Sequence, residues 1–232
     1  MNFDQYANQY DEHLQRGVSL SGEGKEFFAQ GRLRLVHEYF SRIAFHPQSA
    51  MDFGCGTGTN TKIMKDLWPS CKMVGLDNST ISLHLARQRV VQEDTYFMTP
   101  EEFRKGENHT VDWVFCNGVF HHIDVEMRNE IFRSILEHLR PGGIFTLFDN
   151  NPFNPGARWV MHRIPFDRDC QMLNPYKVKL RLAELGFENI TCRFLFIFPR
   201  FLSCLRLLEP SMSGLPLGAQ FGLFARRSPR DD

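Results

Sequence analysis

An α/β fold, a mainly parallel sheet covered by helices on both faces, is what the sequence predicts, and three observations carry it. Short apolar runs alternate along the chain with segments of helical period. A glycine-rich turn, Gly54-Cys55-Gly56-Thr57-Gly58, joins the first apolar run to the first helical segment behind it. The composition is that of an ordinary globular chain: 42% hydrophobic and 23% charged over 232 residues, which suits one core.

The elements follow in order. After GVSLSGEG, which reads as a loop, Leu33, Leu35, Val36, Tyr39 and Phe40 recur at helical spacing and predict a helix over 31–40. Ala50 to Phe53 is a short buried strand, and Thr57 to Trp68 a helix stopped by Pro69. Lys72 to Leu76 is a strand, Ser79 to Val91 a helix, Thr95 to Met98 a weak strand and Val111 to Cys116 a stronger one. Val125 to Leu139 is a helix ended by Pro141-Gly142-Gly143, and Ile144 to Phe148 is a strand. Pro175 to Leu185 is a helix capped by Gly186, followed by strands at Ile190 to Phe198 and Gln220 to Ala225 that pair as an antiparallel hairpin.

Two stretches break this alternation. The segment 150–175 holds too many Pro and Asn residues for a simple crossover and exceeds usual loop lengths, so it is expected to be a lid or substrate insertion. Arg193 to Glu209 is unusually rich in Phe and Leu. It reads as core strand plus amphipathic helix, with an apolar substrate wall or a peripheral membrane contact as the alternative. The expected organisation is one domain, 1–232, with an N-terminal cap segment, 1–30.

Composition also excludes function classes. Twenty-seven basic residues balance 27 acidic ones, so the broad positive field that drives phosphate-backbone binding is missing and nucleic acid is a disfavoured partner. The six cysteines form no C-x-x-C pair and no Cys/His cluster at zinc spacing, so no metal is expected and free thiols in a reducing cytoplasm are. The start, MNFDQYANQYDEH, lacks the basic and apolar regions of a secretory signal, and no apolar run is long enough to span a membrane.

The glycine turn narrows the ligand. A nicotinamide or flavin fingerprint needs G-x-G-x-x-G, whereas the third glycine here arrives one position early and Thr59 stands in its place. A Walker loop would need Gly-Lys-Ser/Thr, which is absent. Glycine still permits a tight turn and close backbone approach, and the helix behind it is expected to aim unpaired amides at a ligand. Asp77 ends the second strand about twenty residues on, where a carboxylate can accept hydrogen bonds from ribose hydroxyls, which implies an adenosine-containing ligand. Asp52 adds a negative charge beside the loop that would repel a pyrophosphate and suit an ammonium or sulfonium. His121 and His122 follow the fourth strand, at the sheet edge where imidazole could accept a proton near neutral pH.

These motifs, D-F-G-C-G-T-G-T at 52–59, Asp77, V-D-W-V-F-C-N-G-V-F-H-H-I at 111–123 and L-R-P-G-G at 139–143, resemble the class I S-adenosylmethionine-dependent methyltransferases of small molecules. The resemblance covers 39–149 and implies a Rossmann-like, seven-stranded, mostly parallel sheet with an antiparallel final strand. It also implies S-adenosylmethionine as cofactor, with Gly54 and Gly56 at its methionine part, Asp77 on the ribose, Asn78 beside the adenine and Asn117 below the sulfonium. Where many relatives place an Asp against the adenine amino group, this chain has Thr99. Arg32 and Arg34 are cationic candidates for the methionine carboxylate. In methyltransferases of this kind the first His of such a pair serves as base beside an Asp after the fifth strand, here His121 and Asp149, for methylation at oxygen. The acceptor is expected to be a small molecule, apolar or lipid-linked given the Phe-rich stretch. It would touch Tyr6 and Tyr10 of the cap, Asn151, and the lid's polar set of Arg158, His162, Arg163 and Asp167. The alternatives are an RNA or protein methyltransferase, disfavoured by the neutral charge and by CNGVF in place of an N-P-P-Y motif, and a cofactor-binding module without catalysis.

Overall fold

The computed structural model describes residues 22–106, 110–164, 167–168 and 170–229. Among them, α1 (Lys25–Arg42), β1 (Ser49–Phe53), α2 (Thr59–Leu67), β2 (Lys72–Leu76), α3 (Thr80–Arg89), β3 (Thr95–Met98), α4 (Pro100–Lys105) and β4 (Val111–Asn117) come first. A 3-10 turn (Phe120–His122), α5 (Val125–His138), β5 (Leu139–Asn150), α6 (Pro155–Arg163), α7 (Pro175–Glu184) and β6 (Phe187–Leu195) follow. A longer 3-10 segment (Arg200–Leu208), α8 (Glu209–Met212) and β7 (Gln220–Arg227) complete the order.

The strands form one seven-stranded sheet in the order β3-β2-β1-β4-β5-β7-β6. β1 to β5 are parallel, and β7 inserts antiparallel between β5 and β6. The expected mostly parallel sheet with its antiparallel end is therefore what forms. Strand alternation divides the core: Trp113 and Phe115 pack with Leu33, Val36 and Phe40 of α1, while Val114 and Cys116 pack with Phe132 and Ile135 of α5. Both faces of β4 are thus covered, which is why its sequence reads as a continuous apolar run.

Three departures have physical causes. Pro141-Gly142-Gly143 does not end before the strand; β5 starts at Leu139, with Gly142 at a φ of 79° and a register shift opposite Val111/Trp113 absorbing the irregularity. β6 starts at Phe187, ahead of the expected Ile190, because its pairing with β7 shifts between Glu188 and Thr191 around Asn189, whose φ is 51°. The Phe-rich stretch leaves the sheet at Leu195 and continues as the 3-10 segment, none of whose residues is buried; Phe201 and Leu207 are 79% and 90% exposed. No helix among the described residues is long and apolar enough to cross a membrane.

The chain runs outward from β1 to β3, then returns to lay β4 on the other side of β1. That reversal opens a crevice beyond the carboxyl ends of β1 and β4, where ligands of open α/β sheets bind.

Candidate active site

The glycine turn fills the near side of this crevice. Gly54, Gly56 and Gly58 have φ of 75°, 52° and 77°, which side chains with a Cβ rarely adopt. A Cβ at Gly54 would stand 2.2 Å from Val119 Cγ2, whereas a Cβ at Gly56 would meet nothing within 4 Å. Gly54 is therefore a packing requirement and Gly56 faces open space. We expect Gly54→Ala to destabilise the fold by on the order of 2 kcal/mol, from backbone strain and overpacking together. A denaturation curve superimposable on that of the parent would refute this.

Four amides of the turn are engaged within the protein. Gly54 and Cys55 N–H both donate to Leu76 O at 2.8 and 2.9 Å, Gly56 N–H donates to Asp77 Oδ2 at 2.9 Å, and Gly58 N–H donates to Cys55 O at 3.0 Å. These four donors are consumed by β2 and by the turn itself. Arg89 of α3 holds the far side through Thr57 O at 2.9 Å and the hydroxyls of Thr57 and Thr59 at 2.6 and 2.5 Å. Asp77 acts as both anchor and ligand candidate: Oδ1 accepts from Ser79 N–H at 2.9 Å while Oδ2 holds the turn. Asp77 lines the cavity at the end of β2, which makes it the candidate partner for ribose hydroxyls.

A cavity of about 230 Å³ opens here, lined by Gly54, Gly56, Asp77, Asn78, Asn117 and His122, with Phe53, Pro100, Val119 and Ile123 as apolar walls. Sequence reasoning had passed over Pro100 and Val119. Thr99 itself does not line the cavity: its hydroxyl accepts from Glu102 N–H at 3.2 Å and its N–H donates to Glu102 at 2.7 Å, a capping box that starts α4. The S/T-x-x-E spacing in TPEE was the signal for this helix.

Asp52 sits behind the loop, 1% exposed and outside the cavity lining. Thr61 Oγ1 donates to its Oδ2 at 2.5 Å, and its Oδ1 has no hydrogen-bond partner. Burial, helped by the charge of Asp77 and opposed by Thr61 and Arg32, pushes its pKa up to about 7. Arg32 is buried and donates to Gln220 Oε1 at 2.9 Å, while Arg34 is exposed.

The histidine pair follows β4 beside the cavity, but its two members differ. His121 is 5% exposed and outside the cavity lining; its Nδ1 lies 2.8 Å from Asp149 Oδ1 and its Nε2 3.4 Å from Asp167 Oδ1. Burial opposes its protonation, but Asp149 and Asp167 outweigh that and raise its pKa to about 10. His122 lines the cavity; its Nδ1 is 3.0 Å from Cys170 Sγ and its Nε2 3.3 Å from Asp167 Oδ1. Burial and the neighbouring charge of His121 lower its pKa to about 4. The expected pairing of His121 with Asp149 is thus present, with Asp149 only 1% exposed and also accepting from Asn150 N–H at 2.7 Å.

The other acceptor candidates separate. Tyr6 and Tyr10 lie outside the described residues. Asn151 is fully buried as a tether, donating to the carbonyls of Pro216 and Gly218 at 3.0 and 2.7 Å and accepting from Phe153 N–H at 3.1 Å. Arg158 and His162 are exposed on α6, away from the cavity lining, and Arg163 stacks on Trp159 at 3.9 Å. Of the lid's polar set, Asp167 is the member that reaches the histidines.

Comparison with known proteins agrees with this geometry. Residues 51–145 match the family model described as a methyltransferase domain. The trans-aconitate 2-methyltransferase of Azoarcus sp. is 27% identical over 60% of this chain and 53% of its own length. The malonyl-[acyl-carrier protein] O-methyltransferase of Anoxybacillus flavithermus is 32% identical over 33% of this chain and 30% of its own length. This chain spans about half the length of the trans-aconitate methyltransferases that it matches. An S-adenosylmethionine-dependent methyltransferase from Archaeoglobus fulgidus superposes with a TM-score of 0.66 at 16% identity, over 88% of this chain and 95% of its own. One from Thermotoga maritima gives 0.69 at 14% identity over 97% and 98%. At these identities the structural likeness establishes the fold.

Proposed function

We infer, from the premise that this chain belongs to the class I S-adenosylmethionine-dependent methyltransferases, that it methylates an oxygen of a small acid. The observation that supports cofactor binding most directly is the coupling of Gly56 N–H to Asp77 at the mouth of the cavity, which locks the turn to the end of β2. The residues fit the cofactor: Gly56 leaves open space for close approach, Asp77 brings a carboxylate to the cavity at the end of β2, and Asn78 with Pro100 provides an edge and a wall for a flat base. Asn117 and Gly118, at the end of β4, border the cavity beside His122. When bound, the cofactor supplies an electrophilic methyl on a sulfonium.

The chain's own part is orientation, since an in-line displacement gains most from holding the reacting atoms near attack geometry. The names of two relatives specify trans-aconitate and a malonyl group on an acyl-carrier protein, which supports an acid as acceptor here. A carboxylate is already ionised at neutral pH and needs no base. His122, which lines the cavity, is the member of the pair that would touch the acceptor; His121, held by Asp149 behind it, is a positioning residue. The exposed Phe201 and Leu207 support an apolar partner or lipid-linked acceptor.

The test is formation of demethylated cofactor from a panel of small carboxylic and hydroxylated compounds. His122→Ala is expected to lower turnover about 100-fold, the size of loss that misplacing a reactant brings, while cofactor affinity stays within about threefold of the parent. Full turnover in that variant would remove His122 from the reaction, and cofactor affinity without product from any compound would favour a pure binding module.

A further inference from the structure

We propose that His121, His122 and Asp167 form a binding site for one divalent first-row transition ion, with Zn²⁺ or Co²⁺ as its probes. The three side chains are 4%, 9% and 5% exposed, and one ligand atom from each lies within 4.8 Å of the others. Asp167 Oδ1 carries the argument. It is buried and has no hydrogen-bond partner among the described residues, yet both Nε2 atoms converge on it, at 3.4 Å from His121 and 3.3 Å from His122. Those separations are too long for good charged hydrogen bonds, which run about 2.7–2.9 Å. They match the edge of a tetrahedron whose centre is about 2.0–2.1 Å from each corner, roughly 3.3–3.4 Å, the distance between ligands sharing a zinc-like ion.

The surroundings are those of an oriented ligand set. Asp149 Oδ1 lies 2.8 Å from Nδ1 of His121, fixing the ring so that Nε2 points at Asp167, and a carboxylate behind a histidine is the usual support for a metal-bound imidazole. Cys170 Sγ occupies the corresponding place 3.0 Å from Nδ1 of His122. Two imidazoles and one carboxylate leave a tetrahedral ion one open position, and because His122 lines the cavity that position is accessible to water or to an oxygen of the acceptor. The site itself stands apart from methyl transfer; only the acceptor as fourth ligand rests on the function proposed above. Sequence spacing could not show it, since the third ligand is 45 positions beyond His122 and is carried in by the lid.

Metal-stripped full-length protein is dialysed against Zn²⁺ and titrated with Co²⁺, whose visible absorption reports four-coordinate geometry. One equivalent is expected, with affinity falling about 100-fold in Asp167→Ala and in His122→Ala, and about tenfold in Asp149→Asn. Each variant is titrated with S-adenosylmethionine in parallel, so that a variant that has merely lost its fold is recognised by lost cofactor affinity. Parent protein that binds no stoichiometric ion, or folded variants that bind it as tightly as the parent, would overturn the site. Failure of methyl transfer with metal binding intact would overturn only the proposed reaction.

Discussion

Asp77→Ala is expected to lower affinity for S-adenosylmethionine by ~100-fold or more, measured by calorimetry. The substitution removes two things at once. Hydrogen bonds to a charged group contribute about 1.5–3 kcal/mol each, and two ribose contacts at the lower end of that range already amount to about a hundredfold. The same change leaves Gly56 N–H and Ser79 N–H without the carboxylate that holds them, so the turn loses its tie to β2 and the cavity its shape. Asp77→Asn should fall between variant and parent, because one oxygen can still accept. Unchanged affinity in Asp77→Ala would mean that the cofactor is not held across the end of β2.

Asp52→Asn is expected to stabilise the folded chain at about pH 8 and to flatten part of its stability profile. With its pKa raised from 3.8 to about 7 by burial, Asp52 binds its proton more tightly in the folded than in the unfolded chain. Its contribution is therefore most favourable below the unfolded value and is lost as pH rises through the folded one, so parent stability falls across about pH 4 to 7. A shift of about three units corresponds to roughly 4 kcal/mol, an upper figure for a buried group of this kind. The amide of Asn keeps an oxygen for Thr61 to donate to, while removing the charge that the site disfavours. Denaturation of parent and variant from about pH 4 to 8 should give curves that diverge as pH rises. Parallel curves would show that Asp52 ionises as freely folded as unfolded.

Some of this molecule is legible in the linear chain for a simple reason. A strand buried on both faces must be a short apolar run, so Val111 begins β4 where its apolar run begins; Lys72–Leu76 and the edge strand Thr95–Met98, with Tyr96 exposed, also keep the bounds expected from the chain. The glycines of the turn and the acid ending β2 are likewise local signals, because a positive φ and a position at the sheet's edge are set within a few residues. What was missed locally had signals that were read as something else. Thr99-Pro100-Glu101-Glu102 is a helix start, and Asn154-Pro155 another, whose side-chain cap on Ala157 N–H begins α6 inside the presumed lid.

The sequence by itself determined the sheet, the turn and the residues at the sheet's carboxyl edge, all products of short-range geometry and periodicity. Only the tertiary structure decided which of two adjacent histidines meets the cavity, that Asp52 lies sealed behind the loop, and that Asp167 joins His121 and His122. Consecutive residues on a tight 3-10 turn project in different directions, and a lid folds back through contacts with distant elements. Such placements arise from packing among segments far apart in the chain, which no local pattern records.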